Sequence, residues 1–165
     1  AFSLMNTSIS TNRFNLRLLN ESDASERYLS WFEDKMSKQY IAYSSSSISS
    51  LREYINSKNT ASDCILWGIF FEGNHIGNIK YEPIDQKSGQ ATMGILIGEP
   101  AWRGKGVAAE VITATARCLM EQLSISEIIL GVDANNIPAI KSYEKLGFRT
   151  FDKKDQGIYM RWLLS

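Results

Sequence analysis

Residues 103–106, Arg-Gly-Lys-Gly, stand directly before a run of good helix formers, Val107-Ala108-Ala109-Glu110-Val111. Two glycines and two cations at a helix start have a chemistry of their own. The first N–H groups of a helix lack intrahelical acceptors, and the helix dipole adds partial positive charge there. Glycine lets the preceding loop approach a ligand and take backbone angles that side chains resist. Arg103 and Lys105 supply full charges. Such a turn is a seat for an anion, and a diphosphate is its natural guest. The plainer reading of the same residues is a turn followed by a solvated first helical turn.

Three phosphate patterns compete for this stretch. A Walker loop, GxxxxGK followed by Ser or Thr, is absent. Gly104, Gly106 and Ala109 satisfy the looser GxGxxA pattern, which would point to a nicotinamide-dinucleotide-binding oxidoreductase. That fingerprint belongs directly after the first strand of a parallel sheet, whereas a long mixed segment precedes it here. The third pattern is Arg or Gln, two residues, Gly, one residue, then Gly or Ala, and Arg103, Gly106 and Ala108 fit it in register. A second cluster, Asn136, Ala139 and Tyr143, ends in Lys145-Leu146-Gly147-Phe148. On helical spacing alone Tyr143 shares a face with Ala139 and Leu146 and reads as core, while Asn136 reads as a helix cap. A buried phenol also needs a partner for its hydroxyl, and at a cleft it can donate a proton.

The whole chain limits what these clusters can serve. At 165 residues, 44% hydrophobic and 22% charged, it reads as one globular domain over 1–165 with residues 1–12 as a flexible start. Its 18 Lys and Arg balance 18 Asp and Glu, so no basic field exists to hold nucleic acid or an anionic membrane, and anion recognition must be local. Cys64 and Cys118 share no metal-ligand spacing with the single histidine, His75, which argues against a structural zinc or a histidine-based triad. They read as buried thiols in a reducing compartment, with one disulfide left open. No apolar run is long enough to span a bilayer and the start lacks a charged n-region, so a cytoplasmic protein is expected.

The surrounding elements must position the two clusters. Residues 13–19 alternate like a strand, and Ser22 or Asp23 caps a helix through Asp34 carrying Tyr28, Leu29, Trp31 and Phe32. A serine-rich loop over 44–50 follows, and Ser49 or Ser50 caps a second helix with Leu51, Tyr54 and Ile55. Strands are read over 64–71 and 75–84, joined by a Glu72-Gly73-Asn74 turn with His75 exposed beside it. A strand over 89–98 carries Gly94 and Gly98, where a bulge or a close backbone approach is expected. A helix over 104–122, a strand over 127–133, a helix over 135–148 and strands over 148–151 and 157–164 complete a mixed α/β domain without repeats.

The strand MGILIG, the RGKGVA loop and the next helix, together with Asn136, Ala139, Tyr143 and KLGF, resemble the two signatures of the GNAT (Gcn5-related N-acetyltransferase) superfamily. The resemblance runs along nearly the full chain. RFNLRLL with YLSWFED further resembles the ribosomal-protein N-terminal and amino-sugar N-acetyltransferase branch. This resemblance implies a mixed, mainly antiparallel central sheet of about seven strands flanked by about four helices. The sheet is splayed between the fourth and fifth strands, 89–98 and 127–133. Acetyl-CoA is the implied co-substrate, with no metal. Unpaired N–H groups near Leu96, Ile97 and Gly98 would hold the thioester, and Arg103, Gly104, Lys105, Gly106, Val107 and Ala108 the pyrophosphate. Asn136 would touch the coenzyme and Tyr143 would give a proton to the departing sulfur.

The implied activity is acetyl transfer to a primary amine, on a small molecule or a protein N-terminus, by direct attack. Glu82, just past the third strand, is the candidate base, acting through water. Glu99 is a weaker candidate, and the helix dipole already accounts for Glu110. Trp31, Phe32, Tyr40, Tyr43 and the nearby serines either line an acceptor pocket or close the core. A non-catalytic acyl-CoA sensor is the alternative function. Neither nucleic acid nor membrane is an expected partner, and a homodimer is.

Overall fold

Alternating and β-rich segments become one sheet, and the two strongest helical stripes pack beside it. The structure, a computed structural model, describes residues 2, 8–33 and 47–165. Tyr40, Tyr43 and the serine-rich stretch up to residue 46 lie outside the described residues. The strands are β1 Ile9–Ser10, β2 Asn15–Leu18, β3 Ile65–Phe71, β4 Asn74–Asp85, β5 Gln90–Ile97, β6 Glu127–Asp133, β7 Arg149–Lys154 and β8 Gly157–Leu163. Their order in the sheet is β1-β2-β3-β4-β5-β6-β8-β7. Among the described residues four α-helices stand out: α1 Glu26–Ser30, α2 Ile48–Thr60, α3 Val107–Leu123 and α4 Ile137–Leu146. The eighth strand is β1, which pairs with β2 where a flexible start was expected. The expected fourth and fifth strands are therefore β5 and β6.

Every neighbouring pair is antiparallel except β5 and β6, whose parallel pairing is made possible by the α3 crossover. One parallel pair inside an antiparallel sheet removes the dinucleotide reading of Gly104, Gly106 and Ala109, which needs a parallel sheet led by the strand before the glycines. The α3 face of the sheet carries the larger core, with Leu16, Trp67, Ile79, Tyr81 and Ile128 packed with Val111, Ile112 and Leu119. Inside it the hydroxyls of Tyr81 and Thr115 share a hydrogen bond of 2.8 Å. A smaller core on a separate set of side chains joins Tyr28, Trp31, Leu51, Ile55, Leu66, Phe70 and Leu96.

Local chemistry moved several boundaries. The helix expected through Asp34 is broken, because Asn20 and Asp23 form a reciprocal capping box on the short 3₁₀ turn Glu21–Asp23, and Ser25 then caps α1 afresh. Ser47, rather than Ser49 or Ser50, caps α2 by accepting from the Ser50 N–H at 3.0 Å. The β3–β4 turn uses Glu72 and Gly73, at φ 47° and 82°, so His75 lies inside β4. His75 is accordingly not an exposed turn residue. Its ring sits 5.1, 4.8 and 4.9 Å from those of Tyr28, Trp31 and Phe70, and it bonds Asn78 Oδ1 at 2.7 Å. The expected bulge falls in β4, between Tyr81 and Ile84, rather than at Gly94. Gly98 does allow a close approach, since a Cβ there would lie inside the Trp31 indole. Cys64 and Cys118 are free and buried, and burial pushes the Cys64 thiol up to about 12.

Candidate active site

The site is built where the sheet stops pairing. Gln90, Ala91 and Thr92 pair with Glu127, Ile128 and Ile129, and beyond them β5 and β6 part. The Gly98 N–H donates to Ile76 O at 2.9 Å, which sets the phase of the β4–β5 ladder. Alternate residues of an antiparallel pair face the partner strand, so Leu96, opposite Asn78, also turns its backbone toward β4. Ile95 and Ile97 turn theirs into the gap. Arg103 Nε reaches across to the Ile97 carbonyl at 3.1 Å, which fits that orientation. Of the three residues expected to offer free N–H groups, Ile97 has no acceptor among the described residues, while Gly98 and Leu96 face β4. Ile95 supplies the second donor, and nothing in the sequence reveals it without the register.

At the open end of β5 the chain turns through Pro100–Trp102 into the glycine stretch. Gly104 and Gly106 hold φ of 70° and 77°, backbone that any side chain would strain. That is why α3 begins at Val107 and not at Gly104. Gly106 is the N-cap and brings no side chain to the helix end. The first intrahelical bond runs from Glu110 N–H to Gly106 O at 3.3 Å, so the N–H groups of Val107, Ala108 and Ala109 have no acceptor within the helix. The Arg103 N–H is already taken by Pro100 O at 3.1 Å. The expected seat therefore loses its first amide, and the amides left to it begin at Gly104.

A cleft of about 380 Å³ lies between this turn and α4. It brings together Leu96, Ile97, Arg103, Gly104, Gly106, Val107, Ala108, Asn136 and Tyr143 from the expected set, and adds Ile95, Trp102, Pro138 and Ser142. Gly98 and Lys105 do not line it: Gly98 lies under Trp31, and Lys105 is exposed. Asn136 caps α4 by accepting from the Ala139 N–H at 3.3 Å. Gly147 stops the same helix at φ 123°, with a would-be Cβ only 2.7 Å from Trp162 Nε1, so the register of α4 is fixed at its far end too. That register points Tyr143 into the cleft wall.

Tyr143 is 9% exposed, and its ring meets Phe148 edge-on at 5.8 Å. Burial pushes its phenol upward, so it stays protonated through neutral pH. Among the described residues its hydroxyl has no hydrogen-bond partner. A buried polar group left unpaired in a cleft calls for an explanation beyond packing.

The carboxylates go elsewhere. Glu82 sits beside α2, 2.8 Å from Lys58 Nζ and 3.8 Å from Lys80 Nζ, and does not line the cleft. Glu99 turns toward α1, with Arg27 and the Trp31 indole N–H each 3.4 Å away. Glu110 is bound by Thr11 and Arg13. Trp31 and Phe32 are core residues.

Residues 13–149 match the Acetyltransferase (GNAT) domain. The chain belongs to the GNAT acetyltransferase family. Spermine/spermidine N(1)-acetyltransferase of Bacillus subtilis is 28% identical over 87 residues, 50% of this chain and 57% of that enzyme. The chain thus spans little more than half of that relative's length. Among solved structures, a putative ribosomal-protein-serine acetyltransferase from Vibrio cholerae superposes with a TM-score of 0.80 at 16% identity, over 98% of this chain and 99% of the other. RimL, a ribosomal L7/L12 alpha-N-protein acetyltransferase solved in complex with coenzyme A, gives 0.83 at 11% identity, over 95% and 98%. At such identities these two likenesses establish the shared GNAT fold. No helix among the described residues is long and apolar enough to cross a membrane.

Proposed function

We propose that this GNAT chain is an acetyl-CoA-dependent N-acetyltransferase that passes the acetyl group to a primary amine by direct attack. The buried phenol of Tyr143, without a hydrogen-bond partner among the described residues and lining the same cleft as Ile95 and Ile97 of β5, carries this reading. The N–H groups of Gly104 to Ala108 receive the diphosphate at the α3 N-terminus, with Arg103 beside them. The open edge of β5 pairs with the pantetheine arm as it would with an added strand. Ile95 and Ile97 N–H groups then face the thioester carbonyl.

The amine nitrogen forms a bond to the carbonyl carbon, and the charge that develops on oxygen is met by these fixed donors. As the carbon–sulfur bond breaks, Tyr143 gives its proton to sulfur and regains one from solvent. The amine proton leaves to water. We assign no base role to Glu82, because its ion pair with Lys58 would break on protonation. The acceptor class, a small amine or a protein N-terminus, agrees with relatives named for spermine, spermidine and ribosomal proteins.

The test is release of coenzyme A thiol across a panel holding spermidine, an amino sugar and a peptide with a free N-terminus. Turnover with at least one amine is expected. Tight coenzyme A binding with no thiol release from any amine would turn the reading into that of a non-catalytic acyl-CoA sensor.

A further inference from the structure

Glu110 presents a difficulty for an anion seat. Its carboxylate sits in the first turn of α3, where it would repel a diphosphate at the helix end. The structure cancels that charge with a residue from the start of the chain. Arg13 Nε donates to Glu110 Oε1 at 2.8 Å, Arg13 N–H donates to Oε2 at 2.8 Å, and the Thr11 hydroxyl donates to Oε2 at 2.6 Å. The same guanidinium lies 4.9 Å above the Phe14 ring and 5.9 Å from that of Trp102, which itself lines the cleft.

This brace uses one edge of the guanidinium and leaves the other. Among the described residues neither Nη atom has a hydrogen-bond partner. Arg13 Nη2 stands 3.6 Å from the point where Gly106 would carry a Cβ. A planar fork with free N–H groups, immobilised beside a left-handed glycine at a helix N-terminus, suits a phosphate better than a lone ammonium does.

We infer that Arg13 is a phosphate-binding residue of the coenzyme site, held at its rim by Glu110 and presenting its free Nη edge to a phosphate of coenzyme A. Glu110 is then a positioning residue. The inference rests on the coenzyme reading proposed above. The phosphate is one of the diphosphate pair or the ribose 3′-phosphate, which share the chemistry Arg13 recognises.

The experiment is calorimetry with coenzyme A and with dephospho-coenzyme A on wild type, Glu110→Gln, Arg13→Gln, Arg13→Lys and the Arg13→Gln/Glu110→Gln double variant, at low and high salt. Circular dichroism checks that each folds. Against Glu110→Gln as reference, adding Arg13→Gln weakens coenzyme A by about tenfold and flattens the salt dependence, the size of a charge-assisted hydrogen bond. Arg13→Lys, which keeps the charge and loses the fork, lies between wild type and Arg13→Gln. If dephospho-coenzyme A erases the difference, the contact is to the 3′-phosphate. If the difference persists, the contact is to the diphosphate. Equal affinities for Glu110→Gln and the double variant would show that Arg13 acts only through Glu110 and overturn the inference, while leaving the coenzyme reading intact. A wild type that fails to bind coenzyme A overturns both.

Discussion

The two ends of β5 differ in one respect, and the site follows from it. From Gln90 to Thr92 the strand is paired with β6. From Met93 to Ile97 no described strand pairs with that side, beside a turn in which Gly106 leaves α3 without a side-chain cap. The closed end satisfies its backbone groups and has nothing left to offer. Among the described residues the open end leaves polar groups unpaired in three places: the strand edge, the helix N-terminus and the phenol of Tyr143. Polar groups that the described residues leave unpaired at one cleft are the observation on which the proposed coenzyme site rests.

Removing the phenol separates chemistry from binding at the open end. Tyr143→Phe is expected to lower kcat by about a thousandfold while leaving coenzyme A affinity within about twofold. Steady-state kinetics beside calorimetry measure this, and unchanged turnover would return Tyr143 to the core. Gly106→Val attacks the seat, straining a φ of 77° and crowding Arg13. Coenzyme A affinity should fall by about a hundredfold, from lost N–H contacts and the left-handed backbone together.

Gly98→Val probes the closed side of the same strand end. Its side chain would collide with Trp31, so the loss should be one of stability, about 1–3 kcal/mol by denaturant unfolding, with the larger core left in place. A smaller effect separates α1 from the cleft by pH. Burial holds His75 below its ordinary value, against the bond to Asn78 and the charge of Asp23. Above about pH 6.5 the folded and unfolded chains both leave this imidazole neutral. As pH falls below that, the unfolded chain takes up a proton that the folded one refuses, and stability drops. Tm should fall between about pH 7 and 5, and His75→Gln should flatten that slope. The smallest effect is expected of Glu82→Gln, a change in kcat of less than about twofold, since its ion pair is half-exposed and off the cleft. A drop comparable to that of Tyr143→Phe would restore Glu82 as the base.

Features legible in the sequence and features hidden from it divide by range. The glycine turn was legible because glycine at a helix start is a statement about backbone angles a few residues apart. Asn136 and Gly147 were legible as cap and stop for the same reason. Glu82 looked available because its partner Lys58 lies on another element, on α2, and only folding brings the two together. The local pattern around Gly73 does not reveal that His75 is enclosed, because the rings around it come from α1, the turn after it, and β3. Ile95 was missed because a strand's free edge depends on its neighbour's register.

The sequence by itself determined the left-handed glycine turn before α3, the helix that carries Tyr143, and membership of a fold family through two spaced signatures. Local backbone preference and short-range spacing suffice for those. The tertiary structure alone decided which β5 amides face away from β4, that the Tyr143 hydroxyl has no partner among the described residues, and that Glu110 in the first turn of α3 is paired with Arg13. Each of these depends on what a distant segment does or fails to do, and pairing between distant segments is settled only when the sheet closes.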